Sequence, residues 1–404
     1  MQSVGPAEHP PDSRYNSPMS LKEAIVAEAH RLGFDLAGVT TPDPPPHLET
    51  FRSWLEAGRH GEMGYLATGR SLERRADPRL ILPECRSILV LGMRYHPPQP
   101  DGPPGSPLQG RVAAYAAGRD YHVVIPARLE RLVAFIERET GTPLVYRAYT
   151  DAGPLLERDL AQRAGLGWIG KNTCLIHPGT GSYFFLAELL LGIDLEPDQP
   201  FLEDRCGSCT RCLEACPTGC ILPDRTLDAA RCISYLTIEL KGPIPPELRP
   251  QVGAWVFGCD VCQQVCPWNE RFARAENLPE ALPEFAARPG MPANNLVEEL
   301  SLSQEDFSRK FRGSPVKRAK RRGFLRNVAV ALGNAGDPAA VPALASTLQN
   351  DPEALVRAHA AWALGQIGGQ AALEVLEQAA NTEADLDVQV EIYAALDRPV
   401  PDTR

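Results

Sequence analysis

Near the start of the chain, Ser20 and Glu23 stand three residues apart, ahead of an apolar stripe formed by Leu21, Ala24, Ile25, Ala29 and Leu32. The pair is a capping box and the stripe has helical spacing, so an amphipathic helix opens the globular part near Pro18. A short strand-like run, DLAGVT, follows it. SILVLGMRY at 87–95 is apolar throughout and predicts a buried strand, HVVIPARLERLVAFIERE predicts a helix, and LVYRAY predicts another strand. Helices and strands mix here without a clean βαβ rhythm, which makes the region α+β up to about residue 200. GTGS at 179–182, between TCLIH and SYFFLAELL, predicts a hairpin turn and hence some antiparallel pairing.

The pattern changes twice after that. From 206 to 267 the chain is dense in cysteine and short of long periodic elements, as a metal-organised module would be. Further on, VAVALGNAGDPAAVPALASTL at 328–348 is echoed by HAAWALGQIGGQAALEVLEQA at 359–379, with LG at 332–333 and again at 364–365. A period of about thirty residues, with two helices per unit and a Gly turn, resembles the HEAT-type solenoids; a plain helical hairpin is the alternative. The expected organisation is a disordered, Pro-rich and polar tail at 1–18, an α+β domain at 19–200, a cysteine module at 201–290 and a helical repeat at 291–404.

Composition narrows the class. At 404 residues the chain is long enough for several cored domains, and its 11 cysteines, mostly at two- and three-residue spacings, suit metal in a reducing compartment better than disulfides. The first eighteen residues lack the apolar core of a secretory signal, and FFLAELLLGI is about half of a membrane span. A soluble, cytoplasmic protein that does not enter membranes is expected, and the short repeat beside a large first domain suggests a monomer. The net charge of −10 argues against wholesale coating of nucleic acid but leaves local patches open.

Cys206, Cys209, Cys212 and Cys216-Pro217 reproduce CxxCxxCxxxCP, the bacterial ferredoxin spacing, in which the fourth thiolate reaches a second cluster. A partner motif lies at Cys259, Cys262 and Cys266-Pro267. Crossed pairing assigns Cys206, Cys209, Cys212 and Cys266 to one 4Fe-4S cluster, and Cys216, Cys259 and Cys262 to another that needs one more thiolate. Cys232 in ARCISYLT is the preferred fourth ligand and Cys220 the competitor, while Cys85 and Cys174 read as ordinary buried thiols. Structural zinc is the alternative, but zinc sites do not call for this crossed arrangement. Two clusters make a relay for single electrons, and the roughly 200 residues before them leave room for a second redox centre or a substrate.

Two motifs mislead. GLGWIG at 165–170 fits GxGxxG but follows a helical run instead of a strand, so Gly165 reads as a helix-ending glycine and Gly170, Lys171 and Asn172 as a loop tip. DYHVVI at 120–125 begins like the DxHxxG signature of some corrinoid proteins but ends in Ile125. Asp151 stands between a strand and a helix whose first turn holds Pro154, which makes it an N-cap candidate as well as a possible proton donor.

The segments YTDAGPLLERDLAQRAGLGWIGKN, CGSCTRCLEACPTG, RCISYLTIEL, FGCDVCQQVCPWN and VKRAKRRGFLRN, with AAYAAGRDYH upstream at 113–122, resemble the epoxyqueuosine reductases in content and order. The resemblance implies a cobalamin-dependent iron–sulfur enzyme, related to the reductive dehalogenases, that removes the epoxide oxygen from epoxyqueuosine at the wobble position of tRNA. It further implies a nitroreductase-like first domain that binds cobalamin without a DxHxxG histidine, and an external electron donor. Asp151 matches the family's proposed proton donor, a role that calls for a carboxyl buried beside corrin and substrate. Arg75, Asp151, Gly170, Lys171, Asn172, Ser234, Tyr235 and Leu236 would line the cobalamin, and Cys232 matches a cluster ligand where Cys220 replaces a position that is often Ala.

The segment 309–326 carries nine basic residues and no acidic one. Lys317, Arg318, Lys320, Arg321, Arg322 and Arg326 are therefore expected to contact RNA phosphates, with a solvated helix face as the alternative. Two other functions remain to be weighed. A reductive dehalogenase of small molecules would have no use for the basic segment or the repeat. A non-enzymatic iron–sulfur electron carrier with a tRNA-binding tail would hold clusters without corrinoid.

Overall fold

The computed structural model describes residues 19–95, 108–272, 282–289, 291 and 295–397. The expected disordered tail lies outside these residues. Helix α1 (Leu21–Arg31) carries the complete capping box, with Ser20 and Glu23 satisfying each other's backbone N–H groups. Strands β1 (Leu36–Thr40), β2 (Ser87–Arg94), β3 (Tyr146–Tyr149) and β4 (Phe184–Leu191) form one sheet in the order β1-β2-β4-β3, antiparallel throughout. The sequence alternation decides its two faces. Leu89, Leu91, Phe185, Ala187 and Leu189 pack on α1 and on α2 (Tyr121–Thr140), while Ile88, Val90, Phe184 and Leu190 pack on α3 (Glu157–Arg163). Helices on both faces of an antiparallel sheet agree with the α+β class.

The glycine turn at 179–182 is present, but it is not the hairpin the flanking runs suggested. His177 and Gly181 bridge each other, Leu175–Ile176 pairs with Trp168–Ile169, and β4 goes instead to the centre of the main sheet. The hairpin Trp168–Ile176 puts Gly170, Lys171 and Asn172 at its tip. Gly165, at φ 79°, ends α3 in the left-handed conformation, and the dinucleotide reading fails for this local reason.

The cysteine module is built of short elements, among them the helices Arg211–Ala215, α4 (Ile233–Ile238) and Val261–Gln264. Beyond it, α5 (Lys320–Ala335), α6 (Val341–Asn350), α7 (Ala354–Ile367), α8 (Gln370–Ala380) and α9 (Leu386–Leu396) stack as helical pairs. The repeated LG glycines do not make turns. A Cβ on Gly333 would lie 2.7 Å from the Trp362 ring, and one on Gly365 2.6 Å from Ala395 Cβ, so each lets two helices cross closely. One core runs from Ile233, Leu236 and Val256 through Phe307 and Phe324 to Ile392. The boundary drawn at 290/291 therefore cuts through a shared core, because so short a stack cannot bury enough apolar surface alone. Among the described residues no helix is long and apolar enough to cross a membrane.

Candidate functional site

Asp151 leaves β3 in the left-handed region, at φ 56°. Helix α3 starts at Glu157 with Leu156 as its N-cap residue, so the cap reading of Asp151 does not hold. The turn is fixed from below instead: the Thr150 hydroxyl donates to Leu186 O at 2.8 Å, and Gly153 presses on the Tyr149 ring, where a Cβ would come within 2.6 Å. The Asp151 carboxylate accepts the Tyr121 hydroxyl at 2.5 Å and lies 3.8 Å from His122 Nε2. Tyr121 is stacked on Phe185, and burial together with the Asp151 charge pushes its phenol up, so it stays a donor. His122 is raised by its hydrogen bond to Asp120. The protein does not bury Asp151 as the role implied by the resemblance calls for: the side chain is 64% exposed. Tyr65, Tyr115 and Arg318 all feel its charge, and Arg318 is itself held by Glu239 at 2.8 Å.

Two further carboxyls lie behind Asp151, and sequence reasoning missed both. Glu157 Oε1 accepts the Asp151 N–H at 2.7 Å. Desolvation, with the Asp151 charge adding, pushes Glu157 up to about 8. Glu188, in mid-β4, is 0% exposed, and neither of its carboxylate oxygens has a hydrogen-bond partner. Desolvation holds it well above the carboxylate range. The available signal was one acidic residue inside the apolar run FFLAELLL.

Cys206, Cys209, Cys212 and Cys266 line one cavity of about 240 Å³, shared with Lys171 and Trp268. Trp168 donates its indole N–H to Cys206 Sγ at 3.4 Å, and Lys171 Nζ holds the Gly207 and Cys209 carbonyls at 2.7 and 2.9 Å. The remaining module cysteines gather separately. Cys220 Sγ is 3.5 Å from Cys216 Sγ and also bonds Cys232, while the Cys232 and Cys216 charges reach Cys259. Hydrogen bonds with Cys220 lower Cys216 to about 5 and Cys232 to about 7, while the Cys220 thiol is itself raised. Cys174, expected to be an ordinary buried thiol, contacts Cys262.

The residues carried over for cobalamin are placed unevenly. Asn172 bridges the two cysteine groups, through Nδ2 to Cys262 O at 3.4 Å and Oδ1 to the Cys174 N–H at 3.2 Å. The backbone N–H groups of Ser234 and Tyr235 point at Cys232. Tyr235 and Leu236 are buried, and the Tyr235 hydroxyl accepts the Glu62 N–H at 2.8 Å, so their side chains are turned into the protein. Arg75 is buried too, held by Ser71 and lying over the Phe51 ring.

The basic segment divides likewise. Lys317, Arg318 and Lys320 are exposed and Arg322 is half-buried. Arg326, counted as a phosphate contact, is 0% exposed; it donates to the carbonyls of Leu236, Leu240 and Gly242 and so ties α5 to the cysteine module. Arg321 is largely buried in an ion pair with Asp351 that holds the repeat together. Neither is placed to meet RNA.

Three family models match the chain: epoxyqueuosine reductase QueG, DUF1730 at 75–152, a 4Fe-4S double cluster binding domain at 205–269, and HEAT repeats at 320–397. The chain is 42% identical over 363 residues to the epoxyqueuosine reductase of Pseudomonas aeruginosa, covering 89% of this chain and 96% of the relative. It is 41% identical over 349 residues to that of Escherichia coli, covering 86% and 89%. Among solved structures, an epoxyqueuosine reductase with an epoxyqueuosine-modified tRNA-Tyr stem loop superposes with a TM-score of 0.84 at 34% identity, covering 93% of this chain and 98% of that one. The Bacillus subtilis enzyme, with its catalytic aspartate loop swung out of the active site, gives 0.83 at 33%, covering 93% and 98%. The chain thus belongs to the epoxyqueuosine reductase family and is an oxidoreductase.

Proposed function

We propose that this protein reduces epoxyqueuosine to queuosine at the wobble position of tRNA, using electrons relayed through two 4Fe-4S clusters to cobalamin and a proton from Asp151. The observation that carries the reading is the corner itself. An accessible carboxylate, clamped by Tyr121 at 2.5 Å, lies within electrostatic reach of Arg318, which belongs to the exposed basic stretch. A relative of similar fold binds an epoxyqueuosine-modified stem loop.

Cys206, Cys209, Cys212 and Cys266 would hold one cluster, since four thiols around one cavity of about 240 Å³ fit a cube better than a zinc ion bonded to sulfur at about 2.3 Å. Cys216, Cys232, Cys259 and Cys262 would hold the other, with Cys220 as a hydrogen-bonding neighbour. The exposed Tyr65, and His122 engaged with Asp120, agree with a corrin bound without a protein ligand to cobalt. Tyr65, Asp151, the loop Gly170–Asn172 and the backbone at Ser234 would hold cobalamin, which supplies the electrons for opening the epoxide.

The chain's own residues then handle position and protons. Removing the epoxide oxygen as water consumes two electrons and two protons. Asp151 protonates the oxygen as the C–O bond breaks, and Tyr121 keeps the carboxyl aimed by donating to its other face. Lys317, Arg318, Lys320 and Arg322 hold the stem-loop phosphates, and an external one-electron donor reloads the clusters. An Asp151→Asn variant tests the assignment: it should load iron and cobalamin and bind the stem loop as the wild type does, yet lose turnover about 100-fold or more. Full turnover in that variant refutes the role.

A further inference from the structure

Glu188 is the only acidic residue of β4, and its carboxyl is enclosed without a hydrogen-bond partner among the described residues. A charge there would meet no donor and no cation to offset its desolvation, so Glu188 is a neutral acid. An orphaned acid in the central strand of a sheet calls for a functional explanation. Its register points to one: Glu188 lies opposite Tyr149, two residues before Asp151 in the chain, on the sheet face covered by α3. The first residue of α3 is Glu157, which accepts the Asp151 N–H at 2.7 Å. Glu157 feels the Asp151 charge and Glu188 feels both, so the three carboxyls form one electrostatic group. Asp151 from its own loop, Glu188 from β4, Arg158 from α3 and Arg75 from the helix Gly69–Ala76 are the charged or titratable groups around Glu157.

Loss of the epoxide oxygen as water needs two protons, and Asp151 carries one at a time. The bound base and corrin would cover the exposed side of Asp151, from which water could recharge it. We propose that Glu157 stores the second proton of the reaction and passes it to Asp151 in the closed complex, a step that rests on the epoxide reduction proposed above. In that transfer the O–H bond of Glu157 breaks and one forms on the Asp151 carboxylate. Glu157 is refilled from solvent after product leaves, while Glu188, without a hydrogen-bond partner, keeps its own proton. Burial keeps both acids protonated near neutral pH. Glu157 does not touch the substrate; it is a positioning residue that acts through Asp151.

Glu157→Gln is the discriminating variant, because the amide keeps an oxygen for the Asp151 N–H but has no acidic proton. On the loaded enzyme with an epoxyqueuosine-bearing stem loop, kcat should fall about 100-fold or more while KM is unchanged. The fall of kcat with rising pH, expected near pH 8 in the wild type, should also vanish. Wild-type kcat and an unchanged pH profile in Glu157→Gln would mean that Glu157 only latches the loop, and would overturn the inference while leaving the function intact. Failure of the wild type to convert the stem loop overturns the function and the inference together. Infrared spectra of the holoenzyme give a readout apart from turnover: carboxylic-acid carbonyl bands at pH 7 that disappear one each in Glu157→Gln and Glu188→Gln. If Glu157→Gln loses its iron or its cooperative unfolding, the wild-type spectrum decides, since absence of any such band there overturns the inference.

Discussion

Replacing Arg326 with Ala separates a structural cation from an RNA-binding one. The guanidinium donates to Gly242 O at 2.6 Å, Leu240 O at 2.9 Å and Leu236 O, and also bonds Asn327 Oδ1, with no carboxylate in contact. Desolvation lowers it to about 10, so it is charged at any pH of interest. Removing it leaves three carbonyls facing a cavity. Unsatisfied buried groups cost about 1–3 kcal/mol each, and breaking a buried charge network about 3–5 kcal/mol, so a loss of about 4 kcal/mol is expected. At a urea dependence of about 2–3 kcal/mol per molar, the midpoint falls by roughly 1–2 M. The helix repeat and the cysteine module share one core, so the loss should appear as one cooperative shift accompanied by loss of iron. Stem-loop affinity per folded molecule should not change. An unchanged midpoint with weakened RNA binding would refute the structural assignment and return Arg326 to the phosphate contacts.

Lys317→Glu with Lys320→Glu should do the reverse, leaving the midpoint alone while lowering the slope of log affinity against log salt by about 0.7–0.9 per lost phosphate contact; unchanged salt dependence in a binding titration would remove them from the interface. Cys232→Ala should cost about half the bound iron and Cys220→Ala little, since Cys232 matches a cluster ligand of the family and Cys220 follows Cys216 by only four residues; the opposite result from iron analysis would exchange their roles. Glu188→Gln should change stability in a pH-dependent way. The folded-state acid is raised above its unfolded value of about 4.3, so wild-type stability is greatest below that pH and declines by about 1.4 kcal/mol per unit as pH rises toward the folded value. The variant lacks this slope, and its thermal midpoint should gain on the wild type from pH 5 to 7; parallel curves would mean that Glu188 is not a buried acid.

The elements nearest in sequence were the most legible. A capping box, two apolar strand runs and the helix over HVVIPARLERLVAFIERE can be read from local spacing because their own residues decide them. The four thiols around one cavity could be grouped from ferredoxin spacing alone, as a crossed motif encodes a distance in space. Where long-range packing decides, the sequence misled. Arg321 and Arg326 look like their exposed neighbours in a basic run, and only the course of α5 against the cysteine module turns them inward. The SYFFLAELL run was assigned to a local hairpin because its true partners, β2 and β3, are distant in sequence. Asp151 passed for a helix cap because the strained turn at 151–156 delays α3 to Glu157. Glu188 went unnoticed because its meaning depends on what lies across the sheet.

The most direct test is the nucleoside released from an epoxyqueuosine-bearing tRNA stem loop after anaerobic incubation with the iron-loaded protein and a chemical reductant, with cobalamin present or omitted. A mass lower by one oxygen, matching queuosine and appearing only with cobalamin, is the predicted result. Stem loop bound by iron-loaded protein but left unconverted in the presence of cobalamin would contradict it.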